Sequence, residues 1–279
     1  MSDFRSWAVR VLALWAALAA ATAATGLIQI GPKAAGAPGG PLGPFTGLLV
    51  VNGLAALALA GPAARLAVSG WRRPAVLFAL LFCVETGLSW VEAVFFNDFV
   101  RMSAAALAGM AGAGLIKAAI GAGAAAWLWR GSAHEAGDGR LVRPAALTGL
   151  CLVLLTGLYV VLYFAGGAGV AWSSPVVRAW YGEGMTIDPG ALALVQLGRG
   201  AVWTGLAALL AVTVRGRTLT VAGLTGVAFA VLMAAPLLYP SAVIPWPVRQ
   251  VHLVELALVN FVFGAVATLV LRRRAAPRP

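Results

Sequence analysis

Ionisable side chains occur at helical spacing inside segments that are otherwise apolar enough to cross a bilayer. Glu85 and Glu92 lie in one such segment, Arg199 in another, and His252 with Glu255 in a third. A charge at the middle of a membrane costs roughly 2.5 to 3.5 kcal/mol on insertion scales, and such residues usually mark an ion path, a proton relay or a ligand site. These five residues are therefore the first candidates for handling a proton or a substrate.

The spacing within two of these segments predicts which polar side chains share a helix face. Glu85 and Glu92 are seven residues apart, so they should project from nearly the same face, about 10 Å apart along the axis. Gln196, Arg199 and Trp203 follow three- and four-residue spacings and should also share a face. We expect both faces to line one substrate site.

The last apolar segment carries a third polar face. Its polar residues fall within an arc of about 140° at 100° per residue; they are Arg249, His252, Glu255 and Asn260. Across the segments, the carboxylates Glu85, Glu92 and Glu255 are offset by the cations Lys117 and Arg199. A nearly neutral set is what a medium of low dielectric tolerates. We therefore expect these groups to meet in one cavity that opens to the extracytoplasmic side, although an ion-paired lock between helices without a substrate is the structural alternative.

The composition defines the class of protein that must position these residues. With 61% hydrophobic residues, 10% charged residues and a mean hydropathy of +0.92, a chain of 279 residues cannot be a soluble globule. The net charge of +11 comes from arginines spread over separate loops rather than gathered on one face. This spread favours contact with anionic membrane lipids and argues against a nucleic-acid partner.

Apolar windows of about 20 residues recur along the whole chain, and each is long enough to span a bilayer as a helix. The sequence thus predicts an all-α, polytopic integral membrane helix bundle with about eight spans. Their predicted bounds are 7–30, 45–69, 75–97, 103–129, 144–167, 190–214, 219–238 and 247–271. The first apolar run continues to Ile30, which favours a retained helix over a cleaved signal peptide.

Basic residues indicate the orientation of the bundle. Arg72, Arg73, Arg215 and Arg217 fall in loops that share one side with both termini, whereas few basic residues fall on the other side. By the positive-inside rule, the N- and C-termini are predicted to be cytoplasmic, and we expect a multi-pass protein of the plasma (inner) membrane.

Two sets of four helices are predicted on either side of a polar linker. The first half covers 1–129, the cytoplasmic linker 130–143 and the second half 144–279, and helices two to four of the halves match at an offset of about 144 residues. An even number of spans per half predicts a 4+4 parallel pseudo-repeat with a site at its interface. The loop 168–189 is rich in aromatic residues and is either an interfacial anchor or a lid over that site.

These observations favour a proton- or ion-coupled transporter of a small solute. In that scheme Glu85, Glu92, His252 and Glu255 handle protons or substrate, and the substrate is bound by Gln196, Arg199, Trp203, Arg249, Asn260 and Lys117. The alternatives are a membrane-embedded enzyme that acts on a lipid or isoprenoid substrate by Glu/His acid–base chemistry, and an accessory subunit of a membrane complex. We predict no cofactor and no metal, since a single histidine is embedded. The Ala- and Gly-rich fourth span predicts a central position or a contact with another subunit, as in a homo-oligomer.

Overall fold

The computed structural model describes residues 2–26, 40–131, 149–182, 188–241 and 244–272. Within these ranges the regular structure is helical, and eight helices are long and apolar enough to cross a membrane. They are α1 (Ser2–Gly26), α2 (Pro44–Arg65), α3 (Arg72–Phe95), α4 (Ala104–Leu128), α5 (Gly149–Ala171), α6 (Pro189–Thr213), α7 (Thr218–Leu238) and α8 (Trp246–Leu271). The predicted all-α class and the number of spans are confirmed.

The helix bounds agree with the predicted spans to within a few residues wherever both are described. The largest differences at described C-terminal ends are in α2, which ends at Arg65 rather than at residue 69, and in α5, which runs to Ala171 rather than to residue 167 because Gly167–Ala171 continues it as a π-helical turn. Residues 27–30 of the first predicted span, 144–148 of the fifth and most of the predicted linker lie outside the described residues.

Local chemistry fixes where several helices begin. Proline occupies the first turn of α2 and of α6, where its missing N–H would have no helical partner. The hydroxyl of Ser103 accepts a hydrogen bond from the backbone of Ala106 at 3.1 Å and caps α4. The carboxylate of Asp188 accepts one from Gly190 at 2.8 Å and caps α6. These caps satisfy backbone donors that the helix itself cannot satisfy.

The order of packing is the same in the first four helices and in the last four. In the first set α1 packs on α2 and α4, and α3 packs on α4; in the second set α5 packs on α6 and α8, and α7 packs on α8. The two sets meet through α2 against α7, and through α3 against α6 and α7. The third helix of the first set is therefore in direct contact with the second set.

Arginine side chains close the helix ends at one end of the bundle, which we call the basic end. The guanidinium of Arg73 donates to the carbonyl oxygens of Ala63 at 2.6 Å, Leu66 at 3.3 Å and Trp129 at 2.6 Å, so it joins the C-termini of α2 and α4. Arg272 closes the C-terminus of α6 in the same way. A cation at this position satisfies unpaired carbonyls and complements the helix dipole.

Glycine permits two helices to approach closely near the predicted site. A Cβ atom added to Gly200 of α6 would lie 2.9 Å from the carbonyl oxygen of Thr156 and 3.1 Å from the ring of Tyr159, both on α5. The small-residue helix α4 is not central: one face packs on α1 and α3, and the opposite face leaves Leu115 and Ile120 exposed. Its predicted contact with another subunit stays a prediction.

Candidate functional site

Six of the ionisable residues predicted inside the spans form three pairs. Glu92 of α3 bonds to Arg199 of α6, and Glu85 of α3 bonds to Lys117 of α4. The third pair lies within α8, where His252 Nδ1 and Glu255 Oε2 are 2.7 Å apart. Two of the three pairs join different helices, and Glu92–Arg199 joins the first set of four helices to the second.

The Glu92–Arg199 pair lies between α3 and α6 and is shielded unequally. Arg199 Nη1 donates to the carboxylate of Glu92 and to Gln196 Oε1, the latter at 3.0 Å. The guanidinium carbon lies 5.8 Å from the ring centroid of Tyr163 on α5. The side chain of Arg199 is 1% exposed, whereas that of Glu92 is 23% exposed. The carboxylate of Glu92 is therefore more accessible to a proton from solvent than the guanidinium of Arg199 is.

Two residues of this cluster carry buried donors that lack acceptors. Nε and Nη2 of Arg199 and Nε2 of Gln196 are buried, and no acceptor lies within hydrogen-bond reach of them in the part of the chain that the structure describes. Both residues are almost fully buried, at 2% and 0% exposure. A buried donor without an acceptor costs about 1 to 3 kcal/mol, so folded proteins rarely keep one without a functional reason. Buried side chains that keep some donors without an acceptor are typical of a ligand site.

A second polar group links α8 to the short helix Pro175–Tyr181, which we call the cap helix. The hydroxyl of Tyr181 lies 3.2 Å from His252 Nε2. Burial, followed by the nearby charges of Glu92 and Glu255, raises the pKa of the Tyr181 phenol above its ordinary value. The phenol therefore keeps its proton and can donate it to Nε2. In that arrangement a neutral imidazole carries its own proton on Nδ1, facing Glu255.

Aromatic rings surround Tyr181 at the end of the bundle opposite the basic end, which we call the aromatic end. The Tyr181 ring centroid lies 5.4 Å from that of Phe99, 5.5 Å from that of Trp172 and 4.5 Å from that of Trp180. Because Tyr181 also contacts His252, the cap helix packs over the His252–Glu255 pair. The predicted loop 168–189 is thus in contact with a predicted site residue, although 183–187 lie outside the described ranges.

The Glu85–Lys117 pair lies within the first set of helices, between α3 and α4. Both side chains are 9% exposed, and Glu85 Oε2 is buried without a hydrogen-bond partner in the described chain. Tyr239, directly after α7, lies in the same region: its hydroxyl oxygen accepts a hydrogen bond from Nδ2 of Asn52 on α2 at 3.2 Å. Burial, followed by the charge of Glu85, raises the pKa of Tyr239 to about 12. The charge of Glu85 therefore affects the phenol of Tyr239, at the C-terminal end of α7.

The two carboxylates of α3 have different partners, although their spacing predicts one shared face. Glu85 lies within the π-helical turn Cys83–Gly87, and Glu92 lies in the α-helical part that follows. A π-helical turn inserts one residue into the helix, so it turns every later side chain by about 100° relative to the earlier ones. Glu85 accordingly bonds to α4, and Glu92 bonds to α6.

The remaining predicted site residues have other neighbours. Arg249 is buried and donates to the carbonyl oxygens of Leu237 and Ile244, each at 2.9 Å, and to that of Tyr239. Trp203 lies in the core, with its ring centroid 4.6 Å from that of Phe229. These contacts link chain segments to each other.

Asn260 uses its amide to donate to the carbonyl oxygen of Leu256, one turn earlier in α8, at 2.7 Å. Among the predicted substrate-binding residues, Gln196, Arg199 and Lys117 share hydrogen bonds or ion pairs with a predicted proton-handling residue or with each other.

Sequence reasoning missed the tyrosines of the site. Tyr163 lies against Arg199, and Tyr181 bonds to His252. Tyr159 and Tyr163 are four residues apart in an otherwise apolar span, a spacing that puts two phenols on one helix face. That spacing was the available signal for Tyr163. Tyr181 lies in the aromatic loop, where nothing in the sequence indicates which side chain it contacts.

The eight apolar helices, with ion pairs between them, define a multi-pass helical membrane protein. Comparison of the chain with known protein families, with curated proteins and with solved structures finds no match. The function must therefore be inferred from the site residues.

Proposed function

We propose that the protein is a proton-coupled transporter of a small solute, with Glu92 and Arg199 at the substrate site. The observation that carries this proposal is the ion pair between buried Arg199 on α6 and partly exposed Glu92 on α3, which joins the two sets of helices. Breaking a buried pair is strongly unfavourable unless a proton or a ligand replaces the lost partner. Such a bond couples the arrangement of the two sets to protonation and to binding.

Two packing observations support a parallel repeat of the halves 1–129 and 144–279. The helices of both sets pack in the same order, and the contacts between the sets pair α2 with α7 and α6 with α3, as a two-fold axis would require. In transporters built from such repeats the substrate site lies between the halves, which rock against each other. We place the basic end in the cytoplasm, both termini with it, and the protein in the plasma membrane, where anionic lipids contact its arginines.

In the proposed cycle a proton enters from the aromatic end. Tyr181 and His252 are hydrogen-bonded, and His252 bonds in turn to Glu255, so these three groups form a relay beneath the cap helix. The charges of both Glu255 and Glu92 act on Tyr181, which supports a path for the proton from the relay to the ion pair. Protonation of Glu92 removes its negative charge and frees Nη1 of Arg199 for the solute. The cap helix acts as a lid in this scheme.

The test uses the full chain in proteoliposomes. Vesicles with an acidic exterior are incubated in a small-molecule extract of the expressing cells, and the solutes retained inside are measured by mass spectrometry. We expect at least one solute to accumulate with the wild type, but not after the proton gradient has been collapsed. The matched variant Glu92→Gln keeps the shape of the side chain but cannot exchange a proton, so accumulation should stop.

The proposal fails if no solute accumulates in wild-type vesicles above the level in Glu92→Gln vesicles, with both proteins inserted and monodisperse. It also fails if accumulation by the wild type is indifferent to the proton gradient.

A second candidate function is acid–base catalysis on a lipid-like substrate. The observation that favours it is the orientation of His252, which is bonded on one ring nitrogen to Glu255 and on the other to Tyr181. A histidine held in this way is typical of a general base. Lipid analysis by mass spectrometry after overexpression, with His252→Ala as the matched control, distinguishes the two functions. A lipid product that depends on His252 would favour the enzyme.

A further inference from the structure

We infer that Arg199 and Gln196 bind the carboxylate of an organic anion that carries a single negative charge and an apolar, ring-containing body. This inference rests on the proposed function only in assigning the anion as the transported solute. The binding site itself depends only on the hydrogen-bond donors, the charges and the aromatic walls of the Arg199 cluster.

The donors of the cluster match the two oxygens of a carboxylate. Arg199 uses Nη1 for Glu92 and Gln196, whereas Nε and Nη2, which lie on another edge of the same planar group, have no acceptor. Two parallel N–H groups on one guanidinium edge form the fork that binds a carboxylate through both oxygens. Nε2 of Gln196 supplies a third buried donor one helical turn away. A protonated amine offers these donors no acceptor and would be repelled by the charge of Arg199.

The charges of the site set the charge of the anion. The groups around Glu92 are Arg199 of α6, Tyr159 and Tyr163 of α5, Glu255 and His252 of α8 and Tyr181 of the cap helix. Lys117 is paired with Glu85. When Glu92 takes up one proton, Arg199 loses the one negative charge that is bonded to it, and one negative charge on the ligand replaces it, while Glu255 keeps His252 as its own partner. A dianion would leave one charge unbalanced in a medium of low dielectric, which is costly.

The walls of the site indicate the body of the ligand. The Tyr163 ring lies against the guanidinium, with its centroid 5.8 Å from the guanidinium carbon of Arg199, and forms one wall of the site. Aromatic walls favour a flat apolar group, because ring pairs add about 0.5 to 1.5 kcal/mol to the burial of their area. An aryl monocarboxylate satisfies the donors, the charge and the walls together.

Equilibrium binding to the full chain in lipid nanodiscs tests this inference without any transport step. The probe is labelled benzoate, with benzamide as the neutral isostere and phthalate as the dianion. We expect benzoate to bind, to bind more tightly as the pH falls, and to exceed both analogues by about tenfold or more, the effect of one charge-assisted hydrogen bond.

Two variants distinguish the contribution of the paired N–H donors of Arg199 from that of its positive charge. Arg199→Lys keeps the charge but loses the paired N–H edge, so benzoate binding should weaken by about tenfold or more. Gln196→Leu removes the third donor without altering any charge and serves if the lysine variant does not fold. Arg101→Lys alters an exposed arginine at the aromatic end, outside the site, and should bind like the wild type.

The inference is overturned if benzamide binds as well as benzoate, if phthalate binds more tightly, or if both Arg199→Lys and Gln196→Leu retain full affinity. These outcomes are distinct from failure of the proposed function. Benzoate binding in nanodiscs without proton-dependent accumulation of any solute would contradict transport alone. Accumulation of a cation or a neutral solute by a protein that does not bind benzoate would contradict this inference alone.

Discussion

Ser89 of α3 donates a hydrogen bond to the sulfur of Met233 on α7 at 3.8 Å, and the two residues are 144 positions apart in the chain. That separation equals the offset that the sequence predicts between the two halves. If the halves are repeats, Ser89 and Met233 are equivalent positions, and equivalent residues touch only where a two-fold axis passes between them. The contact therefore supports the proposed repeat and locates the axis between α3 and α7.

A disulfide at the basic end should stop transport. Leu66 after α2 and Val214 after α6 form an isolated antiparallel bridge, in which Ala67 donates to the carbonyl oxygen of Thr213 at 2.7 Å. Leu66 and Val214 are the non-hydrogen-bonded pair of this bridge, so their Cα atoms should be about 4.5 Å apart, within the range that a disulfide spans. Leu66→Cys/Val214→Cys should cross-link on oxidation, hold the halves together at this end and abolish solute accumulation.

The reductant provides the control for this cross-link. Accumulation should return when the disulfide is reduced, and each single cysteine variant should be unaffected by oxidation. The background protein carries Cys83→Ala and Cys151→Ala, since neither native cysteine is part of a disulfide. Full activity of a completely cross-linked protein, as judged by gel mobility, would show that the basic end does not open.

The fold could be predicted from the sequence because each helix is a continuous apolar run between short polar segments. Length and hydropathy alone fix such helices, as backbone groups in hydrocarbon must be satisfied within the helix. The ends of α2 and α5 were less predictable. Leu66 leaves the helix to pair with Val214, and Gly167–Ala171 extends α5 as a π-helical turn. Both depend on contacts between segments distant in the sequence.

The site could be predicted only as a set of residue types. That Glu92 and Arg199 would meet followed from charge balance, and they do. That Glu85 would bond to α4 did not follow, because the π-helical turn Cys83–Gly87 changes the direction of α3 and has no sequence signature. Arg249 was expected at the site from its position on α8, but its guanidinium bonds to backbone carbonyls, which periodicity cannot reveal.

A double-mutant cycle on Glu92 and Arg199 should separate function from stability. Glu92→Leu leaves the buried charge of Arg199 unpaired and should lower the free energy of unfolding by about 3 to 5 kcal/mol. Arg199→Leu leaves only the partly exposed charge of Glu92 unpaired and should lower it by less. The double variant has no charge to bury, so its stability should return close to that of the wild type. Denaturant titration in detergent measures the unfolding, and the vesicle assay measures transport.

We expect the double variant to be stable and inactive. If it transports like the wild type, the pair is a lock between helices and takes no part in coupling. If it remains as unstable as the single variants, another group depends on the pair.

A glycine of α4 should be essential for the contact with α3. A Cβ atom added to Gly114 would lie 2.6 Å from Cβ of Thr86, which cannot move away because it is attached to the backbone of α3. Gly114→Ala should therefore lower the free energy of unfolding by about 1 to 3 kcal/mol through overpacking. Gly112→Ala is the matched control, since a Cβ there meets nothing within 4 Å. Equal stability of the two variants would show that α3 and α4 separate without cost.

Replacement of Arg249 should affect stability rather than coupling. Its guanidinium donates from Nε to Ile244 and from Nη1 to Leu237, so it ties the N-terminus of α8 to the end of α7. Arg249→Lys keeps the charge but loses these paired donors, and each buried carbonyl left unsatisfied costs about 1 to 3 kcal/mol. The melting temperature in detergent should fall, while solute accumulation per folded molecule should keep its dependence on the proton gradient.

Arg178→Lys is the matched control for Arg249→Lys, because Arg178 also donates to backbone carbonyls but is exposed on the cap helix. An exposed substitution of this kind should alter stability by less than about 0.5 kcal/mol. If Arg249→Lys instead melts like the wild type but loses its dependence on the proton gradient, Arg249 takes part in coupling, and the relay must extend from His252 to the start of α8.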